Sequence, residues 1–250
     1  MKAIVTVPFF DTKENERGDI TRKVLSRLLD QVKSPHVIVP VDNGSTDIST
    51  WNWIEESGLF PEAIRLIRPR STASGVNAGW VGYHEQLVSG SAIAVKYDSD
   101  IFVDSDNWLD LMLETISNNP QIGIIGPRAR AQDYTGKWLL NDHGDWWETS
   151  FVYGAIAVRS APAFRAIGYM KQPYGKWGWD DHWDVARIKY TNLCLAVMSN
   201  IEWVQVSRRS CLNDGDKEEC RTKGKKKFLE MKRGLSNGKI NVYQHPSFCE

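Results

Sequence analysis

Short runs of apolar, mostly β-branched residues alternate along this chain with segments whose apolar residues recur at helical spacing. The first run spans residues 3–7, and Ile20, Val24, Leu28 and Val32 then follow every fourth position. A strand, a helix and a further strand form the unit from which parallel sheets are built. The alternation therefore predicts an α/β fold, with a mostly parallel, Rossmann-like central sheet flanked by helices.

The same alternation continues to residue 206. Further strands are predicted at 36–41, 64–67, 92–97, 122–125, 151–158 and 193–206. Helices are predicted at 49–57, 78–88, 108–117, 162–167 and 180–189. Residues 127–149 are polar and aromatic without a clear period, so a long functional loop is expected there.

The size and composition of the chain indicate an ordinary globular protein. It has 250 residues, of which 42% are hydrophobic and 25% charged, which excludes collagen-like, coiled-coil and wholly disordered chains. No apolar run approaches the roughly 20 residues that cross a bilayer, so we expect a cytoplasmic protein without a transmembrane anchor. The four cysteines form no Cys-x-x-Cys pair, which indicates reduced thiols and excludes a zinc ribbon.

The net charge of zero conceals an uneven distribution. Residues 204–250 contain 11 Lys and Arg against 6 Asp and Glu, which leaves 20 against 25 for residues 1–203. We therefore expect one domain over residues 1–206 and a basic C-terminal extension over residues 207–250.

Ligands of open α/β sheets bind beyond the carboxyl ends of the strands, so polar residues directly after strands are candidates for ligand binding. The segment Asp42-Asn43-Gly44-Ser45-Thr46-Asp47 directly follows a predicted strand. It is typical of a turn with a helix N-cap. Alternatively, Asp42 accepts a hydrogen bond from a nucleobase, and Gly44 allows the ligand to approach the backbone closely.

A second polar segment, Asp98-Ser99-Asp100, follows the predicted strand 92–97. Two acids around one spacer can hold a hard divalent cation against a diphosphate, and the cation neutralises a departing phosphate. The alternative is a pair of exposed loop acids. Of three Asp-x-Asp segments in the chain, only this one ends a predicted buried strand.

The third segment, Gly178-Trp179-Asp180-Asp181-His182-Trp183-Asp184, opens a predicted helix. Acids in the first helical turn stabilise the helix dipole, which is a sufficient structural explanation. Two adjacent carboxylates among indoles also form a candidate general base, because desolvation raises the pKa of one of them. A lone His182 without partners at ligand spacing is more typical of a structural residue than of a metal ligand.

Five segments together resemble the successive motifs of family 2 glycosyltransferases with the A-type (GT-A) fold. They are Ile4-Val5-Thr6-Val7-Pro8-Phe9-Phe10-Asp11, Val41-Asp42-Asn43-Gly44-Ser45-Thr46-Asp47, Gly75-Val76-Asn77-Ala78-Gly79, Tyr97-Asp98-Ser99-Asp100 and Trp179-Asp180-Asp181. The resemblance extends over residues 1–206. It implies a nucleotide-sugar-binding half over 1–104, an acceptor half over 105–206, and a donor that is usually a UDP-sugar.

The resemblance also implies a set of donor-binding residues. Asp42 would recognise the base, helped by the segment from Pro8 to Phe10 and by an arginine. The residues implied in donor binding are Pro8, Phe10, Asp42, Arg68, Arg70, Asn77, Gly79 and Asp98. The family's Asp-Asp-Gly-Ser reads Asp-Asn-Gly-Ser here, which removes one negative charge near the diphosphate.

For the reaction centre, the resemblance implies a manganese or magnesium ion held by Asp100 beside Asp98. Asp181 matches the family's base, which deprotonates an acceptor hydroxyl for in-line attack with inversion at the anomeric carbon. Asp180 stands where the family usually has Glu, so its acceptor contact is shortened by one methylene. The metal-binding His that often follows the last strand is missing. His245 could replace it by folding back, or Arg208 and Arg209 could carry part of the charge.

Six of the 11 tryptophans fall between residues 138 and 183. Aromatic rings commonly stack on the C–H faces of sugars, and Trp146, Trp147, Trp177 and Trp179 are the candidate acceptor platform. The alternative is that these indoles fill a hydrophobic core.

The segment 221–239 contains eight Lys and Arg and a single Glu. A solvated surface helix explains it, and so does contact with an anionic acceptor such as a phosphorylated glycan, a lipid head group or DNA. Some phage enzymes that resemble this family glycosylate hydroxymethylated pyrimidines, which makes such a DNA base one expected acceptor.

Together these features predict a metal-dependent glycosyltransferase that acts on a glycan or another hydroxyl acceptor. A nucleotidyltransferase on a similar sheet is the alternative enzyme, although the Gly-rich basic loop expected after its first strand is missing at residues 8–11. A noncatalytic glycan- or nucleic-acid-binding module would bind its ligand without turning over a sugar nucleotide.

Overall fold

The computed structural model describes residues 1–68, 71–130, 134, 138–174, 179–206 and 214–245, without the side chains of 214–217 and 220. Arg70, Trp177, Arg208 and Arg209 lie outside the described residues. Within the described part of the chain, no helix is both long and apolar enough to span a bilayer.

The first part of the chain alternates strands and helices. Its elements are β1 (Lys2–Phe9), α1 (Gly18–Gln31), β2 (His36–Asp42), α2 (Ser49–Ser57), β3 (Ile64–Arg65), α3 (Thr72–Val81), α4 (His84–Ser89), β4 (Ala92–Tyr97) and β5 (Ile101–Val103). Every residue of β4 is buried, as expected for a strand with helices on both sides of the sheet.

The remaining elements complete the sheet and add a long helix. They are α5 (Trp108–Asn118), β6 (Ile122–Ala129), β7 (Leu139–Asp142), β8 (Trp146–Thr149), β9 (Ile156–Arg159), α6 (Ala161–Ile167), α7 (Asp180–Ile188), β10 (Cys194–Gln205) and α8 (Asp214–Ser236). Local sequence fixes several boundaries. For example, the Ser160 side chain caps α6 by accepting from the Ala163 amide at 3.3 Å.

One sheet contains all the strands, in the order β3-β2-β1-β4-β9-β6-β10-β8-β7, with β5 paired to β10. The strands β3, β2, β1 and β4 are mutually parallel, and β6 is parallel to β10. The short β9 runs antiparallel between β4 and β6. The predicted α/β fold with a mostly parallel central sheet is confirmed.

Two predicted elements differ from the structure. The helix expected at 78–88 is two helices, α3 and α4, which meet at Gly82 and Tyr83. The loop expected at 127–149 instead contains the end of β6 and the β7–β8 hairpin. No alternation of apolar and polar residues marks this hairpin, because β7 is mostly exposed and its pairing with β8 has an irregular register.

The strand expected at 151–158 begins only at Ile156, and the preceding residues run irregularly beside α7. This irregular stretch includes Gly154, where a Cβ atom would lie 2.6 Å from the Cβ of Asp181. Because Gly154 has no side chain, the backbone of the loop before β9 can approach Asp181, the candidate general base, closely.

The C-terminal helix α8 packs on α7 rather than standing away from the domain. Met231 and Leu235 are buried in a cluster with Trp183 and Ala186 of α7. The Trp179 ring stacks on Phe228 with centroids 5.4 Å apart. The segment predicted as an extension therefore contacts the element that begins with Asp180.

Candidate functional site

The site lies where the carboxyl ends of β1, β2 and β4 meet the start of α7. Parallel strands present their carboxyl ends at one edge of the sheet, so Asp42 at the end of β2 and Asp98 after β4 lie at the same edge. The Asp98 amide donates to the carbonyl of Ala155 at 2.8 Å, which ties the end of β4 to the loop before β9.

A buried lysine, Lys96, joins this edge to α7. Its ammonium nitrogen lies 3.0 Å from Asp98 Oδ1 and 3.7 Å from Asp180 Oδ2, and its side chain is only 4% exposed. Burial acts to lower the pKa of Lys96, but Asp98, Asp180 and Asp181 raise it above its usual range. The lysine is therefore a permanent cation at neutral pH.

Asp98 is the more accessible carboxylate of the Asp-x-Asp pair, with a side chain that is 32% exposed. Desolvation raises the pKa of Asp98 to about 6, Lys96 opposes this shift, and Asp100 adds to it. An additional cation at Asp98 would favour its ionised form.

Asp100 is almost completely buried and has two side-chain partners. Arg17 Nη2 lies 3.1 Å from Asp100 Oδ2, and Gln205 Nε2 donates to the same oxygen at 2.8 Å. The Val206 amide donates to the Asp100 carbonyl at 2.8 Å. Residues at the end of β10 and before α1 thus hold the second acid of the pair.

The helix α7 places its first two residues at this site. Trp179 before the helix has a φ of 69°, a left-handed conformation that few non-glycine residues adopt. Asp180 is buried, and its Oδ2 accepts no hydrogen bond from the described residues. This oxygen is instead paired with the Lys96 ammonium group, at a distance longer than a hydrogen bond. Burial raises the pKa of Asp180. The positive charge of Lys96 opposes this shift, and the negative charge of Asp181 adds to it.

Asp181 is partly exposed and interacts with the backbone and with His182. The Gly154 amide donates to Asp181 Oδ2 at 3.4 Å, and His182 Nδ1 lies 2.9 Å from Asp181 Oδ1. Although burial opposes it, His182 holds the pKa of Asp181 below its usual value. Conversely, Asp181 raises the pKa of His182 against the effect of burial. The raised pKa expected for one of the two acids thus falls on Asp180, whereas Asp181 is ionised at neutral pH and is free to accept a proton.

The charges of the site suit a divalent cation. Four carboxylates (Asp98, Asp100, Asp180 and Asp181) surround two cations (Lys96 and Arg17), which leaves two negative charges when all are ionised and His182 is neutral. Carboxylate oxygens are ligands that Mn²⁺ and Mg²⁺ accept, together with substrate phosphates. The chemistry of the donor set thus fits such an ion.

His245 does not join this set. It is exposed, and its ring lies 5.0 Å from the Tyr243 ring. Among the described residues, no group of three or more His, Cys, Asp and Glu side chains is arranged to hold a metal. The expectation that His245 folds back as a third ligand is therefore unsupported, because the neighbouring Gln244 is tied instead to Ile167 and Tyr169.

Asp42 is completely buried at the end of β2. Its Oδ1 accepts from the Ser45 amide at 2.8 Å, and Oδ2 lies 3.2 Å from Arg65 Nε. The Arg65 guanidinium also lies over the Trp51 ring, 5.8 Å from its centroid. Among the described residues, the arginine paired with Asp42 is thus Arg65.

Two other predicted donor residues have packing roles. The Asn77 side chain exchanges hydrogen bonds with the backbone of Met170, at 2.9 Å and 3.0 Å. At Gly79, a Cβ atom would lie 2.4 Å from Thr6 Oγ1, so the glycine allows α3 to pack directly on β1. Pro8 is buried in β1 and Phe10 is half-buried just beyond it, at the edge that carries the site.

The predicted aromatic platform is divided between the core and the site. Trp146 is only 6% exposed, belongs to the main core and stacks on His143, so it presents no ring face for a sugar. Trp147 faces the opposite side of β8, half-buried, with Arg128 over its ring at 5.8 Å. Trp179 is half-buried between His182 and Phe228.

Comparison with known proteins identifies the fold. No protein-family model and no curated protein matches the chain. Solved structures do match, among them mannosyltransferase PcManGT from Pyrobaculum calidifontis in complex with GDP-Man and Mn²⁺ (TM-score 0.60, 16% identity, 82% of this chain and 56% of that one). The chain has the A-type glycosyltransferase fold.

Two further structures share this GT-A fold. GalNAc-T7 with UDP, GalNAc and Mn²⁺ has a TM-score of 0.61 and 13% identity, over 85% of this chain and 45% of that one. S. aureus TarS 1-349 in complex with UDP-GlcNAc has a TM-score of 0.55 and 15% identity, over 81% of this chain and 58% of that one. The chain thus spans about half the length of the structures it matches.

Several residues of this site are not marked by any sequence motif. They are Arg17, Arg65, Lys96, Gly154 and Gln205. Only Lys96 carried a recognisable signal, because a lysine within an apolar run predicted to be a buried strand needs a charged partner. The others are ordinary loop or strand-end residues whose partners lie far along the chain.

Proposed function

We propose that this chain transfers a sugar from a nucleotide diphosphate, with a UDP-sugar as the first donor to test, to an acceptor hydroxyl. The observation that carries the proposal is that Asp98 and Asp100 at the end of β4 share one charged cluster with Asp180 and Asp181 at the start of α7. The solved structures that share the fold, in complex with GDP-Man or UDP-GlcNAc, support a donor of this class.

Asp181 is the proposed general base. Its ionised carboxylate would accept the proton of the acceptor hydroxyl, while the hydroxyl oxygen attacks the anomeric carbon from the side opposite the departing diphosphate. That in-line geometry inverts the anomeric configuration. Asp180 is buried against Lys96, so its proposed part in catalysis is to hold the charge around Asp181 rather than to touch the acceptor.

Asp100 and Asp98 are the proposed carboxylate ligands of Mn²⁺ or Mg²⁺. When bound, such an ion would neutralise the diphosphate charge that develops as the sugar leaves. Asp98 is the accessible member of the pair, and Asp100 is held by Arg17 and Gln205. The chain itself supplies fixed positive charge beside them through Arg17 and Lys96.

The donor nucleotide is proposed to bind along the edge formed by β1 and β2. Asp42 would recognise the base, which requires Arg65 to move from its carboxylate; the Arg65 side chain is 41% exposed and thus free to turn outward. Pro8 and Phe10 flank this position. Asn77 and Gly79 support it by fixing α3 against Met170 and β1. Arg68, which is exposed, and Arg70 remain the proposed candidates for the arginine that helps Asp42 to recognise the base.

The acceptor is proposed to enter between Trp147, Trp179 and α8. The exposed side of α8 carries Arg221, Lys225, Lys226, Lys232 and Arg233 without an ion pair to any described residue. Such a surface favours a glycan or other acceptor that carries phosphate groups, including DNA.

A DNA gel-shift experiment tests whether the acceptor is DNA. A salt-sensitive shift that disappears when Lys225, Lys226 and Lys227 are changed to Gln would support DNA, and no binding at low salt would exclude it.

A thermal-shift series tests the donor site directly. UDP, GDP, CDP, ADP and dTDP are compared with and without Mn²⁺, on the wild-type chain and on Asp100→Ala. At about 100 times the dissociation constant, a ligand stabilises the fold by roughly 2.7 kcal/mol. We expect a metal-dependent shift for one nucleotide that is lost in Asp100→Ala, followed by turnover of the matching sugar nucleotide.

Two other results of this series would argue against sugar transfer. Nucleotide binding without turnover of any matching sugar nucleotide would favour the noncatalytic module. No shift with any nucleotide would contradict the proposed transfer. Lys23→Ala, an exposed change on α1, serves as the control because it leaves the site untouched.

A further inference from the structure

Lys96 occupies an unusual place for a charged side chain. It lies in β4 at the centre of the sheet, aligned with Thr6 of β1 on one side and with Ala157 of β9 on the other. The side chain is 4% exposed. A charge in such a position is costly unless it is paired and hydrogen-bonded, so its contacts indicate what it is for.

The ammonium group of Lys96 contacts three separate segments. It pairs with Asp98 beyond β4, with Asp180 in the first turn of α7, and it donates to the carbonyl of Gly154 before β9. Its ammonium group therefore contacts all three segments at once. One side chain thus joins the donor edge of the sheet to the helix that carries Asp181.

The Gly154 peptide extends this connection to Asp181. Its carbonyl accepts from Lys96, and its own amide donates to Asp181 Oδ2 at 3.4 Å. The residue has no room for a side chain, because a Cβ atom would lie 2.6 Å from the Cβ of Asp181. A displacement of Gly154 would therefore move or release the Asp181 carboxylate.

We propose that Lys96 is a positioning residue that fixes the Asp181 carboxylate opposite the donor, through Gly154 on one side and Asp180 on the other. The inference rests on the proposed sugar transfer. Lys96 itself touches neither substrate, and its effect is on the placement of the base. A misplacement of about 1 Å can cost about 100-fold in rate, so the effect should appear in kcat rather than in donor binding.

The test compares Lys96→Met, which keeps the length of the side chain without its charge, with the exposed control Lys23→Met. Steady-state kinetics use the sugar nucleotide found for the wild-type chain, and calorimetry measures binding of the corresponding nucleoside diphosphate with Mn²⁺. We expect kcat of Lys96→Met to fall about 100-fold, a far larger change than the one in donor KM and nucleotide Kd that follows from the lost pairing with Asp98. Unchanged kcat, or a loss confined to donor affinity, would overturn the proposal.

Chemical rescue separates positioning by charge from a general structural role. In Lys96→Ala, n-propylammonium replaces the missing atoms of the side chain and should restore most of the lost kcat. Tetramethylammonium at equal ionic strength cannot donate to Gly154 and should restore none. Equal effects of the two cations would contradict the proposal.

Should the Lys96 variants fail to fold, Gly154→Ala tests the Gly154–Asp181 part of the connection, since its methyl group displaces Asp181 directly. We expect a comparable loss of kcat with nucleotide affinity intact, and wild-type turnover in this variant would overturn the proposed connection. A wild-type chain that turns over no sugar nucleotide would contradict the proposed function itself, which keeps the two failures distinct.

Discussion

Arg17 and Asp100 form an ion pair at 3.1 Å that joins the residue before α1 to the end of β4. Both side chains are almost entirely buried, at 10% and 6% exposure. Because the acid is a proposed metal ligand, the arginine and a divalent cation would interact with the same carboxylate. The strength of the ion pair therefore bears on how tightly the site holds a metal.

Replacement of Arg17 by Met should lower stability and increase the response to metal. The change leaves Asp100 with Gln205 as its remaining side-chain partner, and breaking a buried pair typically costs about 3–5 kcal/mol. Mn²⁺ would then compensate the charge that Arg17 no longer balances. A Mn²⁺ titration followed by thermal denaturation should show a larger stabilisation of Arg17→Met than of the wild-type chain; an equal or smaller one would argue against Asp100 as a ligand.

A second buried network fixes α7 to the rest of the domain. Asp184 pairs with Arg159 of β9 and with Arg187 one turn along the helix, and Arg187 also donates to the carbonyl of Tyr169 at 2.8 Å. Burial lowers the pKa of Arg159 to about 10, partly opposed by Asp184. The network holds α7 in place below its first turn, which carries Asp180 and Asp181.

Asp184→Asn should therefore destabilise the fold strongly, by about 3–5 kcal/mol, since two buried guanidinium groups lose their counter-charge. The matched control is Asp19→Asn, which breaks the exposed pair with Arg22 and should cost no more than about 1 kcal/mol. Urea denaturation of both variants measures the difference. Similar losses in the two variants would show that the buried network contributes little.

His182 should make stability depend on pH around neutrality. Asp181 raises the folded-state pKa of His182, so the pair stabilises the fold fully below the unfolded pKa of about 6.5 and this contribution is lost as the pH rises through the folded pKa. The wild-type melting temperature should thus decline more than that of His182→Gln from about pH 6 to about pH 8. Parallel profiles for the two proteins would refute the assignment.

Sequence patterns predicted the central sheet because apolar periodicity is local. They also placed Asp98 and Asp181 at strand and helix ends, where the structure brings them into one charged cluster. The partners of these acids could not be predicted, because Arg17, Lys96 and Gln205 reach them only through the folded topology. The burial of Trp146 could not be predicted either, because neighbouring residues of β8 point to opposite faces: Trp146 lies in the main core, and the half-buried Trp147 packs against a second apolar cluster.

The most direct test of the central claim is the steady-state turnover of Asp181→Asn with the donor identified for the wild-type chain. Asn keeps the shape of the side chain but cannot accept the hydroxyl proton. We expect kcat to fall by about 100-fold to 10,000-fold, the usual contribution of a general base, with the nucleotide Kd unchanged. Turnover equal to wild type would contradict the assignment of Asp181 and, with it, the proposed mechanism of sugar transfer.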